Sequence, residues 1–261
     1  MRALPSPLLV VTDRHGCIDP PPHAGEGGRG ATGRGDRDLS GKGGAPLSRP
    51  SLTRGPTSPA ERGGDARTDD PTARLLLVVC SILEGGARWV WLRERDMDHE
   101  GRRSLADDLL RVVRAFGGIL TIGGDPGLAA VIGAEGVHLP GTATADDTRR
   151  ARGLLPASAL VGISAHSLRD VEAAARAGAD YVTLSPIFET ASKPGYGPAL
   201  GPELLRAASH FGLPVIALGG ITAANAPACR EAGAAGIAAM GGLIRAADPA
   251  EAARTLLTAW R

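Results

Sequence analysis

The sequence predicts an α/β protein, a single (β/α)8 TIM barrel with a disordered insertion after its first strand. Three observations carry this expectation. Eight short apolar runs alternate strictly with eight helical patterns, which implies parallel strands joined by crossover helices. Four helix-to-strand junctions repeat one dipeptide, Gly86-Ala87, Gly133-Ala134, Gly178-Ala179 and Gly233-Ala234. Glycine suits the left-handed residue that ends a helix, and the small residue after it lets the chain turn back tightly. Eight such units in roughly 205 residues favour a closed barrel over an open doubly wound sheet.

Taken in order, residues 1–14 hold the first strand, Leu8-Leu9-Val10-Val11. Residues 15–70 break the pattern, with 13 Gly and 7 Pro in 56 positions and Ile18, Leu39, Leu47 and Leu52 as the only large aliphatics. Such a stretch cannot bury enough apolar surface to offset its ordering entropy, so it reads as a disordered insertion. Its seven arginines are interspersed with acids, as in a solvated linker. Residues 71–261 are the remainder of the barrel. A helix at 71–84 ends at Gly85-Gly86, and a strand follows at 89–92. A helix at 103–116 leads to a strand at 119–122, and one near 126–132 to a strand at 137–139. Helices at 146–152 and 167–177 precede strands at 160–163 and 181–184 in the order helix, strand, helix, strand. Helices at 202–210 and 223–232 lead to strands at 215–218 and 236–239, and a helix at 248–260 closes the chain.

Composition narrows the function classes. Hydrophobic residues make up 43% of the chain but aromatics only 3%, so Ala, Leu, Val and Ile must build the core. That argues against stacking nucleic-acid bases on aromatic platforms. A formal net charge of +1 offers no broad attraction to nucleic acid or to an anionic membrane. Cys17, Cys80 and Cys229 show no CxxC spacing, and the apolar run at 75–83 is far short of the roughly 20 residues of a membrane span. The run at 8–11 is too brief for a signal peptide. The expectation is a soluble, cytoplasmic protein acting on a small molecule.

Barrel chemistry sits at the C-terminal ends of the strands. Gly219-Gly220 and Gly241-Gly242 follow the seventh and eighth strands, where bare backbone amides make a phosphate site. His166 lies just past the fifth strand in a polar loop and is the candidate acid–base, given the near-neutral pKa of imidazole. Ser164, Thr190, Arg93, Arg95 and Lys193 are candidates to bind an anionic substrate. Glu94 is expected to pair with one of those cations. His138, inside an apolar strand, reads first as a satisfied core histidine and second as a substrate-binding residue. No metal cluster is evident.

These strand ends resemble the thiamine phosphate synthase and thiazole tautomerase superfamily. The matching pieces are Val11-Thr12-Asp13-Arg14, Leu92-Arg93-Glu94-Arg95, Gly136 to Pro140, Gly162 to Ser167, Ala179 to Val182, and Ser185 to Thr190 with Lys193. Pro214 to Thr222 and Gly236 to Met240 complete the series. The synthase branch joins a pyrimidine diphosphate to a thiazole phosphate with magnesium holding the diphosphate. Its members carry Asn-Asp after the third strand and a further Asp after the fourth, where this chain has Gly123-Gly124 and Ala143. Trp91 stands at their Gln, and Arg95 at their Lys. The tautomerase branch needs a proton shuttle and no metal, so the resemblance implies a thiazole tautomerase. On that reading His166 would move the proton, the Gly220 and Gly242 amides would hold the phosphate, and Arg93 or Lys193 the carboxylate. The alternatives are a synthase with its magnesium, or a non-catalytic thiazole phosphate-binding regulatory protein. Related barrels suggest a homodimer.

Overall fold

Eight parallel strands close on one another in sequence order, β1-β2-β3-β4-β5-β6-β7-β8 and back to β1. The computed structural model describes residues 4–17, 70–190 and 198–261. Lys193 and nearly all of the 15–70 insertion lie outside the described residues. The strands are β1 (Leu8–Val11), β2 (Trp89–Leu92), β3 (Ile119–Gly123), β4 (Gly136–Leu139), β5 (Leu160–Ala165), β6 (Tyr181–Leu184), β7 (Val215–Leu218) and β8 (Gly236–Ala239). The helices are α1 (Pro71–Glu84), α2 (His99–Ala115), α3 (Pro126–Ile132), α4 (Ala145–Leu154), α5 (Leu168–Arg176), α6 (Gly201–Ser209), α7 (Ala226–Glu231), α8 (Gly241–Ile244) and α9 (Pro249–Trp260). The protein is a (β/α)8 TIM barrel. No described helix is long and apolar enough to cross a membrane.

Local chemistry explains the boundaries. Asp70, Asp98, Asp125, Thr144, Ser167 and Asp248 each accept a backbone N–H in the first turn of the helix that follows. Such caps satisfy donors that the helix itself cannot. The four Gly-Ala junctions behave alike, with Gly86, Gly133, Gly178 and Gly233 at φ of 103°, 71°, 79° and 89°. Three expectations need correction. The ordered chain runs past residue 14, because Arg14–Cys17 form a 3-10 turn. α2 starts at His99 rather than 103, since the Asp98 carboxylate accepts from the Gly101 N–H at 2.8 Å. α7 begins only at Ala226, because Thr222 to Asn225 form a turn in which the Thr222 N–H donates to Asn225 Oδ1 at 2.8 Å.

Two apolar layers follow from strand alternation. Leu8, Val10, Val90, Leu92 and Val137 point outward and pack under the helices. Leu9, Val11, Trp89, Trp91, Tyr181 and Ile216 fill the barrel interior. Three of the eight aromatics, Trp89, Trp91 and Tyr181, supply bulk there. Tyr181 lies across Gly162: a Cβ there would fall 2.1 Å from the phenol Cζ. The ring meets Trp89 edge-on, with centroids 4.7 Å apart.

Candidate active site

The mouth at the C-terminal strand ends holds a cavity of about 450 Å³. Gly219, Gly220, Gly241 and Gly242 line one wall, Arg93 and Thr190 others, and Trp91 contributes to the lining from β2. The two glycine pairs are needed for different reasons. Gly219 and Gly220 have φ of 97° and 64°, and a Cβ on Gly220 would lie 2.3 Å from the Glu189 carbonyl oxygen. Packing against the loop after β6 alone demands glycine there. A Cβ on Gly242 would meet nothing within 4 Å, and its φ is not in the left-handed region. Neither protein packing nor backbone conformation accounts for that glycine, and it faces the cavity.

Arginines dominate the rim. Arg93 lines the cavity, and its backbone N–H donates to Thr12 Oγ1 at 3.0 Å. Burial lowers the Arg95 pKa, with the charges of Arg93 and Arg102 adding to the effect. Glu94 does not pair with Arg93 or Arg95. It accepts from Arg14, at 3.0 Å from the guanidinium and 3.1 Å from the backbone N–H. Arg14 also grips Asp96 at 2.7 and 2.8 Å, and His15 meets the same carboxylate at 2.8 Å. Those contacts hold the Asp96 carboxyl well below the usual range, the Arg14 hydrogen bond most and the His15 one next. With both acids taken by Arg14, no carboxylate among the described residues lies within ion-pair distance of Arg93 or Arg95. Arg245, which sequence reasoning missed, also lines the cavity and lies 3.6 Å from Asp13.

His166 is exposed just after β5. Its Nδ1–H donates to the Ser185 carbonyl at 2.8 Å, and its backbone N–H donates to Asp170 Oδ2 at 2.9 Å. Ser185 lines the cavity, so the imidazole borders it through that residue. Ser167 caps α5, accepting from the Asp170 N–H. Ser164 is half-buried at the end of β5. His138 is fully buried, with Ser164 Oγ 3.0 Å from Nε2 and the Tyr181 phenol 3.1 Å from Nδ1. The Trp91 indole packs on its ring with centroids 3.9 Å apart. His138 thus supports the site rather than touching a ligand, which corrects its place among the substrate-binding candidates.

Comparison with known proteins now adds to this geometry. The family model described as thiamine monophosphate synthase matches residues 65–243. The chain belongs to the thiamine monophosphate synthase family. The thiamine-phosphate synthase of Thiobacillus denitrificans is 39% identical over 193 residues, covering 73% of this chain and 90% of that protein. That of Geobacillus kaustophilus is 36% identical over 203 residues, covering 76% and 89%. A solved thiamine phosphate pyrophosphorylase from Pyrococcus furiosus shares the fold, with a TM-score of 0.67 at 21% identity over 97% of this chain and 94% of that one.

These family relatives overturn the tautomerase expectation and the isomerase class with it. That expectation rested on missing aspartates, which remove one means of neutralising a diphosphate but not the coupling chemistry itself. The family resemblance implies magnesium, and at the aligned positions Gly123, Gly124 and Ala143 offer no oxygen-bearing side chain to hold it. Among the described residues no group of three His, Cys, Asp or Glu could hold a metal. Asp125 is committed to capping α3 at 2.8 Å from the Leu128 N–H and to facing Arg102 at 3.7 Å. A Cβ on Gly123 would fall 2.8 Å from both the Leu92 carbonyl oxygen and Trp91 Nε1, so the close approach of β2 demands glycine there.

Proposed function

We propose that this chain is a thiamine-phosphate synthase, a transferase that couples a pyrimidine diphosphate to thiazole phosphate. The thiazole ring nitrogen attacks the pyrimidine's methylene carbon, the carbon–oxygen bond to diphosphate breaks, and the nitrogen becomes cationic. The main support is the extent and identity of the match to proteins bearing that name. The rim agrees with it, since Arg93 and Arg95 meet no carboxylate among the described residues and suit the negative charge of a departing diphosphate. The thiazole phosphate is assigned to Gly219, Gly220, Gly241 and Gly242, where Gly242 leaves open space. The reaction takes no proton from the ring nitrogen, so His166 and Thr190 are assigned to orienting the substrates rather than to proton transfer.

The test is an assay of purified protein with thiazole phosphate and pyrimidine diphosphate, followed by chromatography for thiamine phosphate. Formation of thiamine phosphate and diphosphate in equal amounts is the expected result. Binding of either substrate with no product under any divalent ion would overturn the reading in favour of a non-catalytic binder.

A further inference from the structure

The segment after β8 brings a side-chain charge to the mouth as well as backbone amides. α8 is a single turn of four residues, Gly241–Ile244, and Arg245 caps its C-terminal end. The Arg245 N–H donates to the Gly241 carbonyl at 3.1 Å, so the helical hydrogen-bond spacing extends to Arg245. Residues three apart on such a turn are neighbours, and their side chains lean towards its N-terminal end. Arg245 therefore stands next to Gly242, and both line the mouth cavity. Asp13, two residues beyond β1, holds the guanidinium from the other side, with Oδ2 3.6 Å from Arg245 Nη1. β1 and β8 pair directly, so this contact spans the seam where the barrel closes. Gly16 makes room for it: a Cβ there would fall 3.0 Å from Asp13 Oδ2 and 3.2 Å from Arg245 Nη1.

Charge balance says what this arginine is for. A phosphate monoester carries nearly two negative charges at neutral pH. Backbone amides hydrogen-bond such a group, but one helical turn sums too few peptide dipoles to balance its charge. Among the described residues that line the cavity, the cations are Arg93 and Arg245, and the acid is Glu189. Arg93 enters from the end of β2 and is assigned above to the diphosphate. We propose that Arg245 is a phosphate-binding residue, supplying the formal charge that the glycine amides lack and selecting a phosphate ester over the uncharged alcohol. The identity of the ester, thiazole phosphate, rests on the synthase reading above; the anion site does not.

The test is calorimetric titration of the full-length protein with thiazole phosphate, its dephosphorylated alcohol and inorganic phosphate. Wild type is expected to bind the ester well above the alcohol and to bind inorganic phosphate in competition with the ester. In Arg245→Gln, affinity for both phosphates should fall about tenfold or more, as when a charge-assisted contact is lost, while affinity for the alcohol stays. Arg245→Lys, which keeps the charge but not the fork, should fall between the two. Arg254→Gln removes an equal charge from α9, beside Pro7 ahead of β1, and should bind all three like wild type. In steady-state assays Arg245→Gln should raise the KM for thiazole phosphate and leave that for the pyrimidine diphosphate within about twofold. An Arg245→Gln protein with wild-type phosphate affinity overturns the proposal. So does an equal loss in Arg254→Gln, which would make the effect one of net charge, or a wild type that binds ester and alcohol alike. Failure of the synthase reading would show separately, as phosphate binding that depends on Arg245 without formation of thiamine phosphate.

Discussion

Replacing His138 by Gln tests how deeply the barrel interior controls protonation. Gln keeps an uncharged hydrogen-bonding side chain of similar reach but cannot titrate. In the folded wild type the imidazole, fully buried, stays neutral down to about pH 3. In the unfolded chain it protonates near its ordinary value of about 6.5. Between these limits the unfolded state binds more protons, so the folded state loses stability as pH falls from about 6.5 towards about 3. Integrated from pH 7 to pH 5, a displacement of that size is worth about 2 kcal/mol. The assay is urea denaturation of wild type and His138→Gln at both pH values. Each protein is compared with itself, so the variant's altered packing and the shared carboxylates cancel. Wild type should lose about 2 kcal/mol more than the variant over that interval. Equal losses would mean that the imidazole is accessible or already protonated in the folded protein.

Two further outcomes separate architecture from ligand binding. Gly242→Ala should leave the urea midpoint unchanged and weaken thiazole phosphate binding, while Gly220→Ala should cost about 1–3 kcal/mol of stability, its Cβ falling 2.3 Å from a carbonyl oxygen. Equal destabilisation in the two variants, measured by denaturation, would remove the reason for placing the phosphate at Gly242. Arg93→Ala should raise the KM for the pyrimidine diphosphate about tenfold or more, a charge-assisted contact being lost. The wild-type rate should change less than about twofold on adding EDTA, a margin of a few tenths of a kcal/mol, and a collapse in chelator would show a metal site that the side chains at Gly124 and Ala143 do not supply.

The barrel was legible because it is encoded locally. Each apolar run and each Gly-Ala turn is a few residues long, and period and punctuation agree along the chain. The first turn of α2 was not, since His99-Glu100-Gly101-Arg102 carries no apolar residue and only the Asp98 cap marks it. α8 is a single turn opening on two glycines, and missing it also hid Arg245 just beyond. At the site, Arg93 and the glycine pairs were found because they sit at strand ends. The Arg14–Glu94–Asp96 grip was not, because it joins residues some 80 positions apart that only barrel closure brings together. The functional error has a different root: it weighed the absent aspartates above the overall likeness, and the relatives named as synthases corrected it.

The four Gly-Ala turns all deliver an odd-numbered helix into an even-numbered strand, at β2, β4, β6 and β8. The junctions into β3, β5 and β7 use other residues, including Gly117-Gly118 and Pro214. The barrel is therefore written as four quarters, each a strand–helix–strand–helix module sealed at its centre by the same turn. Seams between quarters differ from one another and carry less local instruction. A chain recombined with a relative would tolerate exchange at those seams better than inside a quarter, where helix and strand share one turn.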